Sequence, residues 1–393
     1  MSDCLNMTPD SEQRLQNAGP IAASCSDAGS AILFTPGPVM MDEITRHCGS
    51  AQMVYHRTPD FSRRILNCER LLKQACVADE ETRVVMVTGS GTAAMEAAVV
   101  NLFAPGENVI VVNGGDFGAR FADIARLHAI NVTEARVEPG CQITGSILQP
   151  LARSGFAGML VNHHETSTGT LFDLALIARF CREHGMLLVV DAIGSFLADP
   201  VSMSEFGIDA MICSSQKALA LPPGMSFVAL GARAQRRVQQ IPPRSYYFDF
   251  RRYLADIERG QTPFTPAVGI LCQLERRLEL LVANGLGRHI DNIRERAADF
   301  RGKIRDLPLR LFSNAPSNAV TALAPLDGRA PAYYVGRLAR EHQIFICPNG
   351  GALKERILRV GHLGNLSRAD NTRLAGAFRD LAFGDGRIGT RRS

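Results

Sequence analysis

The sequence predicts an α/β fold: a mostly parallel sheet with helices on both faces in a large domain, followed by a smaller α+β domain at the C-terminal end. Three observations predict it. From Arg83 onward, short β-branched apolar runs alternate with longer helical patterns. The strand-like runs are apolar throughout, as strands covered on both faces must be. At 393 residues the chain exceeds a usual single domain and has interior enough for a buried site.

Taken in order, residues 1–29 are rich in Ser, Asp, Asn and Gln with little periodic hydrophobicity, and are expected to form a flexible extension. Order begins at Ala31-Ile32-Leu33-Phe34, before the turn-rich Thr35-Pro36-Gly37-Pro38. The expected strands are Val84-Val85-Met86-Val87, Val109-Ile110-Val111-Val112, Met159-Leu160-Val161, Leu187-Leu188-Val189-Val190, Ala210-Met211-Ile212 and Phe227-Val228-Ala229-Leu230. Helices such as Thr92–Phe103 and Leu171–His184 lie between them. Ligands of such sheets sit at the carboxyl ends of the strands.

After Gln261-Thr262-Pro263-Phe264-Thr265-Pro266 a long helical pattern runs from Ile270 to Asn284 and resumes past the break Gly285-Leu286-Gly287. Beyond it, the strands Ala319–Ala322 and Ile344–Ile346 mix with the helices Tyr333–Glu341 and Ser367–Leu381. The expected organisation is an extension (1–29), a large domain (30–270, of which 30–48 can pack with the smaller one), a small domain (271–383) and a basic tail (384–393).

Composition narrows the function classes. The chain is 46% hydrophobic and 21% charged, and its net charge of +4 is too small and dispersed for a nucleic-acid partner. The apolar run from Met186 to Ala198 contains Asp191 and falls short of the roughly 18 residues that span a bilayer. With Asp3, Asp10 and Glu12 in place of a basic segment, the N-terminus does not read as a signal peptide. The ten cysteines show no CxxC pairing, which argues against a metal site or a disulfide framework. A soluble cytoplasmic protein is expected.

Three places carry chemistry. Thr88-Gly89-Ser90-Gly91-Thr92-Ala93-Ala94 joins a strand to a helix; its glycines, free helix amides and hydroxyls suit a phosphate. It also matches GxGxxA, so a dinucleotide turn or a plain helix cap stays open. The next strand ends in Asn113-Gly114-Gly115, without the acid that a dinucleotide's ribose wants. Asp191 closes another strand; it is either a satisfied cap or the partner of a protonated ring nitrogen. Lys217, in Ser214-Ser215-Gln216-Lys217-Ala218-Leu219-Ala220-Leu221-Pro222-Pro223-Gly224, lacks charged neighbours; it is either solvated or a desolvated nucleophile. Phosphate cradle, strand-end acid and strand-end lysine are the set that pyridoxal 5′-phosphate needs, and nicotinamide chemistry does not.

The motifs FTPGP (34–38), YHRTPDF (55–61), TGSGTAAMEAA (88–98), HETSTG (164–169), VVDAIGS (189–195), SSQKALALPPG (214–224), GQTPFTPAV (260–268) and LRVGHLG (358–364) resemble those of the class V aminotransferases of fold type I. The resemblance is to the alanine-glyoxylate, serine-glyoxylate and 2-aminoethylphosphonate-pyruvate transaminase branch. It implies that Lys217 holds the cofactor as a Schiff base and that Asp191 pairs with the ring nitrogen. Ser90, Gly91, Thr92 and Gln216 would line the phosphate site, Phe117 would stack on the ring, and Thr166 would meet the ring hydroxyl. Thr265 would reach the phosphate of a neighbouring subunit, which implies a homodimer with shared active sites. Arg359 would grip the substrate carboxylate, Gly37 would approach the substrate, and His56 and Arg57 would order the entrance, with Arg57 available to a second acidic group. Two departures bear on substrate choice: the chain has no tryptophan, leaving Phe117 as the stacking ring, and His164 stands where many relatives carry a small or polar residue.

The expected reaction is amino transfer from a small donor of the alanine, serine or 2-aminoethylphosphonate type to a small 2-oxo acid, pyruvate or glyoxylate. The runner-up is a lyase-type reaction on the same fold, for which Cys347 is the candidate reactive thiol near Arg359. A nicotinamide-binding oxidoreductase is the third reading.

Overall fold

The computed structural model describes residues 31–384 apart from residue 154; the predicted extension and nearly all of the basic tail lie outside the described residues. A seven-stranded sheet forms the centre, in the order Arg83–Thr88, Met225–Leu230, Ala210–Ser214, Leu187–Asp191, Phe156–Asn162, Asn108–Asn113 and Asn131–Arg136. Met225–Leu230 runs antiparallel to both its neighbours, and the other adjacent pairs are parallel.

Successive residues of a strand face opposite ways, and here each face has its own core. Val84, Met86, Ile110, Val112, Met159, Leu188 and Val190 join one apolar cluster. Val85, Val87, Val109, Val111, Leu160, Val189 and Ile212 join the other, under the helices Gly91–Leu102 and Asp116–Leu127. That double cover explains why these strands read as unbroken apolar runs. Asn131–Arg136 escapes such a reading: it is an edge strand, Asn-Val-Thr-Glu-Ala-Arg, with only Ala135 buried.

The helix Pro59–Ala75 also falls outside the elements that the strand alternation predicts. Thr58 caps it by accepting from the Phe61 amide, Pro59 begins it, and Phe61, Ile65, Cys68 and Leu72 bury one face. Val268–Asn284 packs on that helix and on Glu43–Gly49. Leu286–Lys303 follows directly after Gly285, whose φ of +89° turns the chain.

A second, five-stranded sheet takes the order Ile32–Phe34, Ile344–Pro348, Leu358–Gly361, Val320–Pro325, Leu309–Leu311. The first described strand pairs in parallel with Ile344–Ile346, far along the chain. The carboxyl ends Thr88, Asn113, Asn162, Asp191 and Ser214 share one edge of the large sheet, and the connections leaving them build the site.

Candidate active site

One cavity opens at that edge, and its wall contains Ser90, Gly91, Thr92, Phe117, Thr166, Asp191, Gln216 and Lys217. Residues from five separate strand ends thus converge as the sequence reading expects. Gly37 closes on the lysine from outside the large sheet: its φ is +140°, and a Cβ there would lie 2.7 Å from Lys217 Cδ and 2.8 Å from the Gln216 carbonyl oxygen. Only glycine lets the backbone pass so near.

At one end of the cavity the helix Gly91–Leu102 begins. Ser90 sits at its N-cap, yet its hydroxyl makes no cap bond, so hydroxyl and first-turn amides face the cavity as donors beside the positive end of the helix dipole. A side chain at 91 would collide with Ile193, whose Cδ1 would be 2.3 Å from its Cβ. The Thr92 hydroxyl oxygen accepts from Arg120 Nη1 at 3.2 Å, which leaves its own proton to donate. Gln216 Oε1 accepts from the Ser214 hydroxyl, which turns its amide NH2 group away as a donor. This end has the set of donors that an anion cradle needs.

Phe117 forms a flat wall. The Arg120 guanidinium lies 4.7 Å from its ring centroid, and the Phe117 and Gly118 amides donate to Glu165 at 3.4 and 3.0 Å. Glu165 also accepts from the amide of Ser167 at 3.1 Å and from Asn162 Nδ2 at 3.4 Å. Burial raises this carboxyl, against the lowering by the Ser167 hydroxyl and the Gly118, Ser167 and Phe117 amides. Glu165 thereby fixes the start of Asp116–Leu127, and with it the position of Phe117.

Asp191 and His164, in the same wall, are buried. Asp191 Oδ1 accepts from the Ile193 amide at 2.8 Å, and burial pushes the carboxyl up to about 7. Lys217 follows the strand Ala210–Ser214 in a loop tied by the Ser215 hydroxyl to the Pro222 carbonyl at 2.7 Å. Burial pulls its amine down to about 8, Asp191 works in the opposite direction, and Arg359 and Arg120 add to the lowering. Among the described residues neither ring nitrogen of His164 makes a well-directed hydrogen bond, the Gly194 backbone alone approaching it, and burial holds the imidazole down at about 3. Each unpaired polar group of this kind costs about 1–3 kcal/mol, so this corner is unfinished without a ligand.

Arg359 stands next to the cavity rather than in its wall. Its guanidinium donates to the carbonyl oxygens of Thr166 at 3.3 Å and Pro348 at 2.7 Å and meets Cys347 Sγ at 3.0 Å. Its Nε is buried and unpaired. Arg57 is engaged elsewhere, donating to Gln261 Oε1 at 2.8 Å and the Thr262 carbonyl at 2.9 Å. Thr265, on the same loop, is exposed and outside the cavity of its own chain.

The wall includes residues without a role in the sequence reading: Arg120, Ile193, Gly194, Met95 and His164. Arg120 was within reach, since it follows Phe117 by three positions and therefore lies on the same helix face. Ile193 and Gly194 follow Asp191 directly. Among the described residues no group of His, Cys, Asp and Glu could hold a metal ion, and no helix is long and apolar enough to cross a membrane.

The class V aminotransferase family matches residues 38–346. A solved aspartate aminotransferase of subgroup IV from Thermus thermophilus is 33% identical, with a TM-score of 0.83 over 89% of this chain and 99% of that one. A solved alanine–glyoxylate aminotransferase from Nostoc sp. is 26% identical, with a TM-score of 0.87 over 95% of this chain and 100% of that one. The alanine–glyoxylate aminotransferase of Mus musculus is 29% identical over 367 residues, covering 89% of this chain and 87% of the relative.

Proposed function

We propose that this chain, which belongs to the class V aminotransferase family, moves the amino group of a small amino acid to glyoxylate or pyruvate with pyridoxal 5′-phosphate bound at Lys217. The observation that carries the reading is one cavity holding a phosphate cradle, a desolvated carboxylate without a cation and a desolvated amine. The cofactor fits that set group for group. Its phosphate suits Ser90, Gly91, Thr92 and Gln216; its ring nitrogen suits Asp191; its flat ring suits Phe117; and its hydroxyl suits Thr166.

When bound, the cofactor offers an aldehyde carbon that bonds to amines and a ring that accepts the electron pair left when a substrate proton departs. Lys217 would hold the group through that carbon, and its amine, when free, would carry the proton from the substrate carbon. An amine titrating near 8 is suited to both steps. Asp191 keeps the ring nitrogen protonated, because a buried carboxylate left without a cation is costly. Arg359 turns from the Pro348 carbonyl and Cys347 to grip the substrate carboxylate through two parallel bonds. Gly37 brings its backbone beside the reacting atoms.

Thr265 completes the phosphate site of a second copy, which makes the enzyme a homodimer. Tyr55 and Tyr246, 66% and 71% exposed, are large aromatic groups left for that contact. Eight cysteines among the described residues are free, which favours the reducing cytoplasm. The chain divides at about residue 270 into a cofactor-binding unit and a smaller one. The lyase reading gains no support from the named relatives, which are aminotransferases.

The test is to load the protein with cofactor and screen alanine, serine, aspartate and 2-aminoethylphosphonate for loss of the yellow colour, then restore it with glyoxylate or pyruvate. Bleaching by one donor and recovery with one oxo acid is the expected result. Cleavage of a substrate with no conversion of the cofactor to its amine form would establish the lyase instead.

A further inference from the structure

His164 opens a two-residue strand paired with Thr170–Leu171, in register with Leu171. Its neighbour Glu165 sends its carboxylate to the start of Asp116–Leu127, and His164 faces the other way, lining the cavity. The imidazole is only 3% exposed, and among the described residues neither nitrogen makes a well-directed hydrogen bond, the Gly194 backbone being the one polar group that reaches it. The fold makes room for it at Gly194. A Cβ there would lie 2.5 Å from His164 Nδ1 and 3.1 Å from Thr166 Oγ1, so His164, Thr166 and Gly194 share one corner.

The corner's place in the cavity identifies what it would meet. The charges of Lys217 and Arg359 both act on the imidazole, as does buried His163, whereas Arg120, which bonds Thr92 of the phosphate cradle, is not among the groups that act on it. On the pyridine ring of the cofactor, the oxygen is carried by the carbon next to the one that bears the aldehyde. A group beside the Lys217 end and away from the phosphate therefore faces that oxygen, and Thr166 alone does not exhaust its two lone pairs.

We infer that His164 is a positioning residue for the cofactor, donating an N–H to the ring oxygen alongside the Thr166 hydroxyl. The inference rests on the cofactor reading above and adds a contact to it. Gly194 is part of the same device, because any larger residue there would evict the imidazole.

The experiment compares the wild-type protein with His164→Phe, His164→Gln, Gly194→Ala and the Phe/Ala double variant. It reads cofactor affinity by equilibrium dialysis and the pH at which the visible band of the loaded protein changes. His164→Phe keeps ring volume without a donor; it should weaken binding about tenfold. It should also move the spectral midpoint upward by about half a unit to one unit, because the freed oxygen holds the neighbouring Lys217 nitrogen's proton more tightly. His164→Gln, which retains an N–H, should stay within about twofold of wild type. Gly194→Ala should match His164→Phe, and the double variant should lose nothing further. Wild-type affinity and midpoint in His164→Phe overturn the inference, as does a His164→Gln variant as impaired as His164→Phe, since packing alone would then explain both. Failure of the wild-type protein to take up the cofactor would instead strike down the reading beneath it.

Discussion

The strand Leu187–Asp191 has a cavity at each end, and the two differ in kind. At Leu187 lies an open groove walled by Glu107, Arg233, Arg236 and Arg237; at Asp191 lies the more enclosed cavity with Lys217. The groove has more charge on view. Two of its three arginines are paired: Arg233 meets Asp209 at 3.5 Å, and Arg237 bonds Glu107. In the cavity, among the described residues, Asp191 and Lys217 form no ion pair and neither nitrogen of His164 makes a well-directed hydrogen bond. A site is marked by groups whose bonds are unmade, because proteins otherwise satisfy what they bury.

The sharpest way to break that comparison is Lys217→Ala, which should cost at least about 10³-fold in kcat, since it removes both the bonding amine and the proton carrier. The assay is turnover with the donor found by colour loss. Asp191→Asn comes next, at about 10²-fold to 10³-fold in kcat. It carries a pH signature as well. Burial raises the folded-state carboxyl from 3.8 to about 7, so stability present below 3.8 is lost as pH rises through 7, on the order of 4 kcal/mol. The ring nitrogen relieves that cost. The rise in Tm on adding cofactor should therefore be larger at about pH 8 than at about pH 5.5, and Asp191→Asn should flatten the difference.

Arg359→Gln should lower kcat/KM by about 10²-fold, chiefly through KM, while leaving cofactor affinity within about twofold. Phe117→Ala should weaken cofactor binding about tenfold through lost ring contact. At the far end of the strand, Arg236→Ala should change neither kcat nor KM measurably; a loss there comparable to Arg359→Gln would erase the distinction between the two cavities.

Most of the large sheet was legible because double burial writes itself into the strands: Val109–Val112 and Leu187–Val190 are apolar without interruption. The edge strand Asn131–Arg136 was not, since one covered face of a polar strand leaves little signal. The meeting of the Ser90–Thr92 turn, Asp191 and Lys217 at one sheet edge was legible from order, each standing at or just past the carboxyl end of a strand. What the sequence could not convey was mutual approach. That Gly37, some 180 positions earlier, must be glycine because Lys217 lies against it is a fact of tertiary contact. The pairing of His164 with Gly194 and the hold of Glu165 on Phe117 are of the same type: each joins residues from different connections at one edge. Arg57 shows the converse, a charge in a promising motif that the fold spends on the loop Gln261–Thr262.

The account turns on which amine holds the cofactor, and the composition makes that unusually easy to read. The chain has four lysines, Lys73, Lys217, Lys303 and Lys354. Borohydride reduction of the loaded protein followed by peptide mass mapping should place the whole of the trapped cofactor on the peptide containing Lys217. Adduct on any of the other three, or cofactor that washes away after reduction, would contradict it.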